Sequence, residues 1–137
     1  MQFRIQQTIA LGWITIMART IVVGDIHGCY DELVELLEKE DLASDDHVVS
    51  VGDLIVKGPK NKEVLDLFSK DPRFSSVIGN HDLKVLSFWK GQDVFLKDAH
   101  KQVCLELESE KARYAANASG RVPATCKDND ERGSIEV

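Results

Sequence analysis

The chain has 137 residues, 43% of them hydrophobic and 29% charged, with a net charge of −6. This is the size and composition of one soluble globular domain, and the acidic balance argues against a nucleic-acid-binding surface, because phosphate backbones reward Lys and Arg. The three cysteines, Cys29, Cys104 and Cys126, are widely spaced without a CxxC pair, which predicts free thiols in a reducing compartment and hence a cytoplasmic protein. The apolar stretch from Thr8 to Ala18 falls short of the roughly 20 residues needed to cross a bilayer, so no membrane association is expected. Arg19 and a core strand follow it at once, and cleavage of a leader there would cut against the fold. Residues 1–18 therefore read as an N-terminal extension, with Met17 as a natural internal start.

From Thr20 the pattern becomes regular. The β-branched run Thr20-Ile21-Val22-Val23 predicts a buried strand ending at Gly24. Tyr30, Leu33, Val34 and Leu37 recur at helical spacing, with Asp31 and Glu32 near the positive end of the helix. Val48 to Val51 predicts a second strand ending at Gly52. After a Gly58-Pro59 loop, Val64, Leu67 and Phe68 share one face of a second helix, which Asp71-Pro72 breaks. Ser76-Val77-Ile78 predicts a third strand ending at Gly79. A third helix follows with Val85, Phe88 and Trp89 aligned and Gly91 closing it. A fourth helix is expected from Leu96 to Arg113, with Ala99, Val103 and Leu107 as its apolar stripe. From Tyr114 onward periodicity is lost, and residues 114–137 read as an irregular, disordered tail. The domain proper is then 19–113. Strand and helix alternating three times predict an α/β fold with a parallel sheet, its strands covered on both faces.

Three polar clusters share one structural context. Gly24-Asp25-Ile26-His27-Gly28 follows the first strand, Gly52-Asp53 the second, and Gly79-Asn80-His81-Asp82 the third. Ligands of open parallel sheets bind outside the carboxyl ends of the strands, so all three clusters are expected at one edge. Singly, each residue has an ordinary use: Asp25 as a helix cap, Asp53 as a turn former, Asn80 as a capping residue. Together at three successive strand tips they form a donor set of carboxylates, an amide and imidazoles without thiolate. Such a set suits Mn, Fe, Zn or Mg.

The series GDIHGCYDEL, GDLIVKGP and GNHDL resembles the motifs of the calcineurin-like metallophosphoesterases. The sub-pattern resembles the symmetrical diadenosine tetraphosphatase branch and its relatives among the Ser/Thr protein phosphatases. The resemblance covers residues 19–110, the N-terminal half of that fold. It implies two divalent metal ions and hydrolysis of a phosphoester or phosphoanhydride by metal-activated hydroxide, without a covalent phosphoenzyme. The substrate would be a phosphorylated small molecule such as a dinucleoside polyphosphate, or a phosphoprotein. It further implies that Asp25 and His27 hold the first metal, that Asp53 bridges both, and that Asn80 binds the second and helps place the phosphate. His81 would serve as general acid or stabilise phosphoryl charge, and Asp82 would orient it through its other ring nitrogen.

Two departures bear on this reading. Lys57 stands where many relatives carry arginine, and offers the phosphate a point charge in place of a bidentate fork. The family's later histidine motifs have no counterpart, since no histidine follows His100. His100 and His47 both read as surface residues. The alternative is a truncated, inactive half-domain acting as a metal-binding or protein-interaction module, self-associating through an open sheet edge.

Overall fold

The computed structural model of the chain describes residues 3–5 and 18–115. In chain order the elements are β1 (Phe3–Ile5), β2 (Thr20–Val23), α1 (Tyr30–Lys39), β3 (His47–Ser50), α2 (Asn61–Lys70), β4 (Phe74–Ser76), α3 (Asn80–Trp89) and α4 (Asp98–Glu106). A 3-10 turn over Glu108–Glu110 follows, then a short helical stretch over residues 111–115. The strands form one sheet in the order β1-β2-β3-β4. β2, β3 and β4 run parallel, as the strand–helix alternation predicts. No helix among the described residues is long and apolar enough to cross a membrane.

Four features differ from the expectation. First, residues 3–5 lie within the supposed extension, yet they pair antiparallel with β2 in the register Phe3↔Val23, Arg4↔Val22, Ile5↔Ile21. The edge of β2 is thus covered by this chain's own backbone. The rest of the apolar stretch, up to residue 17, lies outside the described residues. Second, β4 begins at Phe74 and not at Ser76. Phe74 is buried beside Val48, whereas Val77 is about half exposed (47%); burial of the aromatic ring sets the register, and the β-branched pair only continues the chain past the strand. Third, the strands alternate. Ile21, Val23, Val48 and Ser50 are buried, while Val22 and Val49 on the other face are only partly covered. Fourth, the helical run does not end at Arg113: Tyr114 is buried, and its hydroxyl donates to Asp66 of α2 at 2.7 Å. The remainder of the tail, from residue 116, lies outside the described residues.

The core is built from Ile21, Val23 and Val48 of the sheet against Leu33 and Leu37 of α1 and Val64 and Phe68 of α2. At the start of the parallel strands, the carboxylate of buried Asp46 accepts the Arg19 and Ala43 backbone N–H groups, each at 2.9 Å, and the Arg19 guanidinium at 2.6 Å. That guanidinium holds the Asp46 carboxyl well below the usual carboxylate range. This clasp ties the start of β2 to the start of β3 and fixes where the opposite, carboxyl ends of the strands emerge.

Candidate active site

The three polar loops meet at the carboxyl ends of β2, β3 and β4, and main-chain hydrogen bonds bind them to one another. Ile26 and His27 donate their backbone N–H groups to the Asp53 carbonyl at 3.1 and 2.8 Å, and Gly28 donates to Leu54 at 2.9 Å. The His81 N–H donates to Asp53 Oδ1 at 2.9 Å, bringing the start of α3, and with it Asn80, to the side of Asp53. Close approach demands glycine here. A Cβ on Gly79 would lie 2.2 Å from Asp53 Oδ1, and one on Gly52 would lie 2.7 Å from the Gly79 nitrogen.

The second loop is also strained. Asp53, Val56 and Lys57 adopt φ of 51°, 75° and 84°, and His27 across from them adopts 50°. Left-handed backbone is uncommon for residues other than glycine and an outlier for β-branched valine. Two polar side chains hold it there. Buried Asn61 accepts the Val56 N–H at 2.9 Å and donates to the Gly58 carbonyl and to Glu106 of α4, both at 3.1 Å. Buried Asp82 accepts the N–H groups of Leu54 and Ile55 at 3.2 Å and of Gly79 at 3.1 Å.

The resemblance gives Asp82 a different task, and that expectation needs correcting. Its carboxylate is spent on loop N–H groups and does not orient His81. The group facing His81 Nδ1 is His100 Nε2, at 2.9 Å. His100 is itself a correction: it is only 1% exposed, not a surface residue. The stripe of α4 runs through His100, Val103, Cys104 and Leu107, all buried, and Ala99 points outward. Spacing of i, i+3, i+4, i+7 is the signal that would have placed His100 inside. His47 is exposed as expected.

Asp25, His27 and Asp53 each present one ligand atom within 4.8 Å of the others, a spread that one cation can span with ordinary metal–oxygen and metal–nitrogen bonds of about 2 Å. The ring of His27 supports that use. Its Nδ1 lies 3.2 Å from the Ile55 carbonyl, an acceptor only, so Nδ1 carries the proton and Nε2 presents a lone pair. That nitrogen lies 3.6 Å from Asp25 Oδ2. Ligating histidines are commonly oriented by such a bond through the other nitrogen. Lys57 Nζ stands 3.3 Å from the same Nε2, a cationic side chain at the mouth of this loop cluster.

His81 completes the surface. Its ring stacks on His100 at 5.0 Å with planes 16° apart and meets His27 edge-on at 5.3 Å. Burial, then the Lys57 charge, push its pKa below the usual histidine value. Burial raises the Asp82 carboxyl, against the opposing pull of its backbone hydrogen bonds. The arrangement gathers oxygen and nitrogen donors for a cation beside an ammonium and an imidazole suited to an anionic group.

Residues 18–130 match the calcineurin-like phosphoesterase family. The chain is 35% identical over 115 residues to the symmetrical bis(5'-nucleosyl)-tetraphosphatase of Cronobacter sakazakii, covering 82% of this chain and 40% of that protein. Among solved structures, a provisionally assigned diadenosine tetraphosphatase superposes with a TM-score of 0.62 at 32% identity, covering 80% of this chain and 45% of that one. A metallophosphoesterase from Sphaerobacter thermophilus superposes at 0.51 with 22% identity, over 77% and 42% of the two chains, and shares the fold. The chain thus spans under half the length of these relatives.

Proposed function

Because this chain belongs to the calcineurin-like phosphoesterase family, we propose that it hydrolyses phosphoester or phosphoanhydride bonds at the strand-tip loops. Its preferred substrate class is dinucleoside polyphosphate, with phosphoprotein second. The observation that carries the reading is the Asp25, His27 and Asp53 donor group, with the His27 tautomer set by Ile55. Asp25 and His27 would hold one divalent cation, Asp53 would be shared with a second, and Asn80 would complete the second site; manganese is the first metal to try. Bound there, such cations supply Lewis-acid charge for phosphoryl oxygens and make water a stronger nucleophile near neutral pH.

The chain's own groups do the rest. Lys57 Nζ and the Asn80 amide position the phosphate. His81, with Nδ1 engaged by His100, turns Nε2 toward the leaving oxygen. As water adds to phosphorus and loses a proton to solvent, the P–O bond to the leaving group breaks, and protonated His81 gives its Nε2 proton to the departing oxygen and ends neutral. The thiols of Cys29 and Cys104 are unpaired, which supports a reducing, cytoplasmic setting.

The test is hydrolysis of p-nitrophenyl phosphate and diadenosine tetraphosphate with Mn²⁺ added, beside Asp53→Asn. Turnover that vanishes in the variant supports the reading, and the absence of turnover with any divalent metal sinks it. A second reading, a metal-binding interaction module without turnover, is favoured by the exposed apolar side chains Phe88, Phe95 and Leu105, which flank one groove. Metal binding without hydrolysis, together with concentration-dependent self-association, would select it.

A further inference from the structure

The most unexpected polar group in the molecule is His100. It sits in the apolar stripe of α4 with Val103, Cys104 and Leu107, a position where leucine or methionine would pack without desolvating a polar atom. Its Nδ1 is buried and has no hydrogen-bond partner of ordinary geometry among the described residues. Its one side-chain hydrogen bond among the described residues is Nε2 to His81 Nδ1, 2.9 Å long, reinforced by the near-parallel stack of the two rings. A buried imidazole that leaves one nitrogen unmatched in order to meet another histidine has its cost explained by that partner.

We propose that His100 is the positioning residue of His81, holding its ring in one rotamer with Nδ1 engaged and Nε2 presented to the phosphoryl group.

Three observations converge on this assignment. Asp82, the neighbouring carboxylate, makes no hydrogen bond to His81: its oxygens accept the N–H groups of Leu54, Ile55 and Gly79, and His81 Nδ1 meets His100 instead. The other face of the problem is His27, whose ring meets His81 edge-on at 5.3 Å; His81 is thus clamped between a ring of the donor group and a ring of the core. Finally, α3 carries His81 and α4 carries His100, so the packing of these two helices sets the approach of the rings. Whichever nitrogen of the pair carries the shared proton, His81 Nδ1 is occupied and Nε2 is the one left to face the substrate. Outer partners of this kind usually alter a site by about 10- to 100-fold when removed.

The proposal rests on the hydrolase reading for its kinetic consequence, but the ring contact can be read without turnover. Histidine side-chain ¹⁵N spectra of the full chain with Mg²⁺ should show His81 in a single hydrogen-bonded state. His100→Leu should shift the His81 Nδ1 resonance and mix its tautomers, and His100→Gln, which keeps a polar atom near the place of Nε2, should restore much of the wild-type signal. Unchanged His81 resonances in His100→Leu overturn the proposal, and if that variant does not fold, a His100→Gln spectrum with no trace of the wild-type hydrogen bond does the same. With Mn²⁺, His100→Leu should lower kcat on phenyl phosphate by about 10- to 100-fold, with a smaller loss on p-nitrophenyl phosphate, whose leaving group needs less proton donation, and with KM unchanged for both. Equal losses on the two esters would reduce His100 to a packing residue and overturn the assignment. If the wild-type chain cleaves neither ester, the hydrolase reading fails, and the ¹⁵N spectra alone decide whether His100 positions His81.

Discussion

The two ends of the parallel strands treat carboxylates in opposite ways. Where β2 and β3 begin, Asp46 is closed off: it is 2% exposed, and its oxygens are met by Arg19 and by the Ala43 N–H. Where the same strands end, Asp25 and Asp53 face each other across His27 with no arginine between them, and the Asp25 side chain is 58% exposed. The Lys57 ammonium contacts His27 Nε2 at 3.3 Å and forms no ion pair with either carboxylate among the described residues, and carboxylates brought together without such a pair repel and cost free energy. One end is therefore a finished structural clasp, and the other is an electrostatic demand that a divalent cation would meet. Of the five non-glycine residues with positive φ among the described residues, His27, Asp53, Val56 and Lys57 belong to the open end, and the fifth, Asp41, lies beside the clasp, where its carbonyl accepts the Arg19 guanidinium.

That contrast can be broken from either side. The largest effect is expected at Gly79. Alanine there places a Cβ 2.2 Å from Asp53 Oδ1, so Gly79→Ala should displace the carboxylate and lower metal-dependent turnover by about 100-fold, at the upper end of effects on a metal ligand's surroundings, with the Asp46 clasp untouched. Steady-state rates with Mn²⁺ check this. At the closed end, Asp46→Ala leaves the Arg19 guanidinium with only the Glu40 and Asp41 carbonyls and the Ala43 N–H without its acceptor. It should lower the thermal midpoint by about 5 °C or more while leaving metal affinity per folded molecule unchanged, read by calorimetry and metal titration. Smaller still, Lys57→Ala should raise KM for a phosphate monoester by about 10-fold, the loss of one charged contact. The same variant should tighten metal binding slightly, because Nζ no longer shares the His27 Nε2 lone pair.

The smallest effect is in pH. The folded-state pKa of Asp46 lies below the unfolded value of about 4. The unfolded chain therefore takes up this proton first as pH falls. The clasp contributes its full stability above about pH 4 and loses it as pH drops toward the folded pKa. Asp46→Asn should flatten the acid limb of a stability–pH curve, and an unchanged limb would refute the clasp.

The same comparison explains what could be read from the sequence. The open end was legible because each chemical residue sits next to the glycine that lets its loop turn, so local spacing carries the information. Asp25, His27 and Asp53 fall together for that reason. Contacts across long separations were not legible. His100 meets His81 from 19 residues away, and its place depends on how α4 packs on α3. Asp82 looks locally like a histidine's partner, and only the fold shows that three loop N–H groups claim it first. Residues 3–5 reach β2 across an intervening stretch with no regular pattern, so their pairing had no local signature either.

On this proposal the open end binds a cation and the closed end does not. Mn²⁺ titration of the purified chain, followed by the loss of free-ion signal in electron paramagnetic resonance, tests it most directly alongside Asp53→Asn and Asp46→Asn. Saturable binding is expected in the wild type, the same binding in folded Asp46→Asn, and its loss in Asp53→Asn. Binding that survives Asp53→Asn, or that disappears with Asp46→Asn while the protein remains folded, would contradict it.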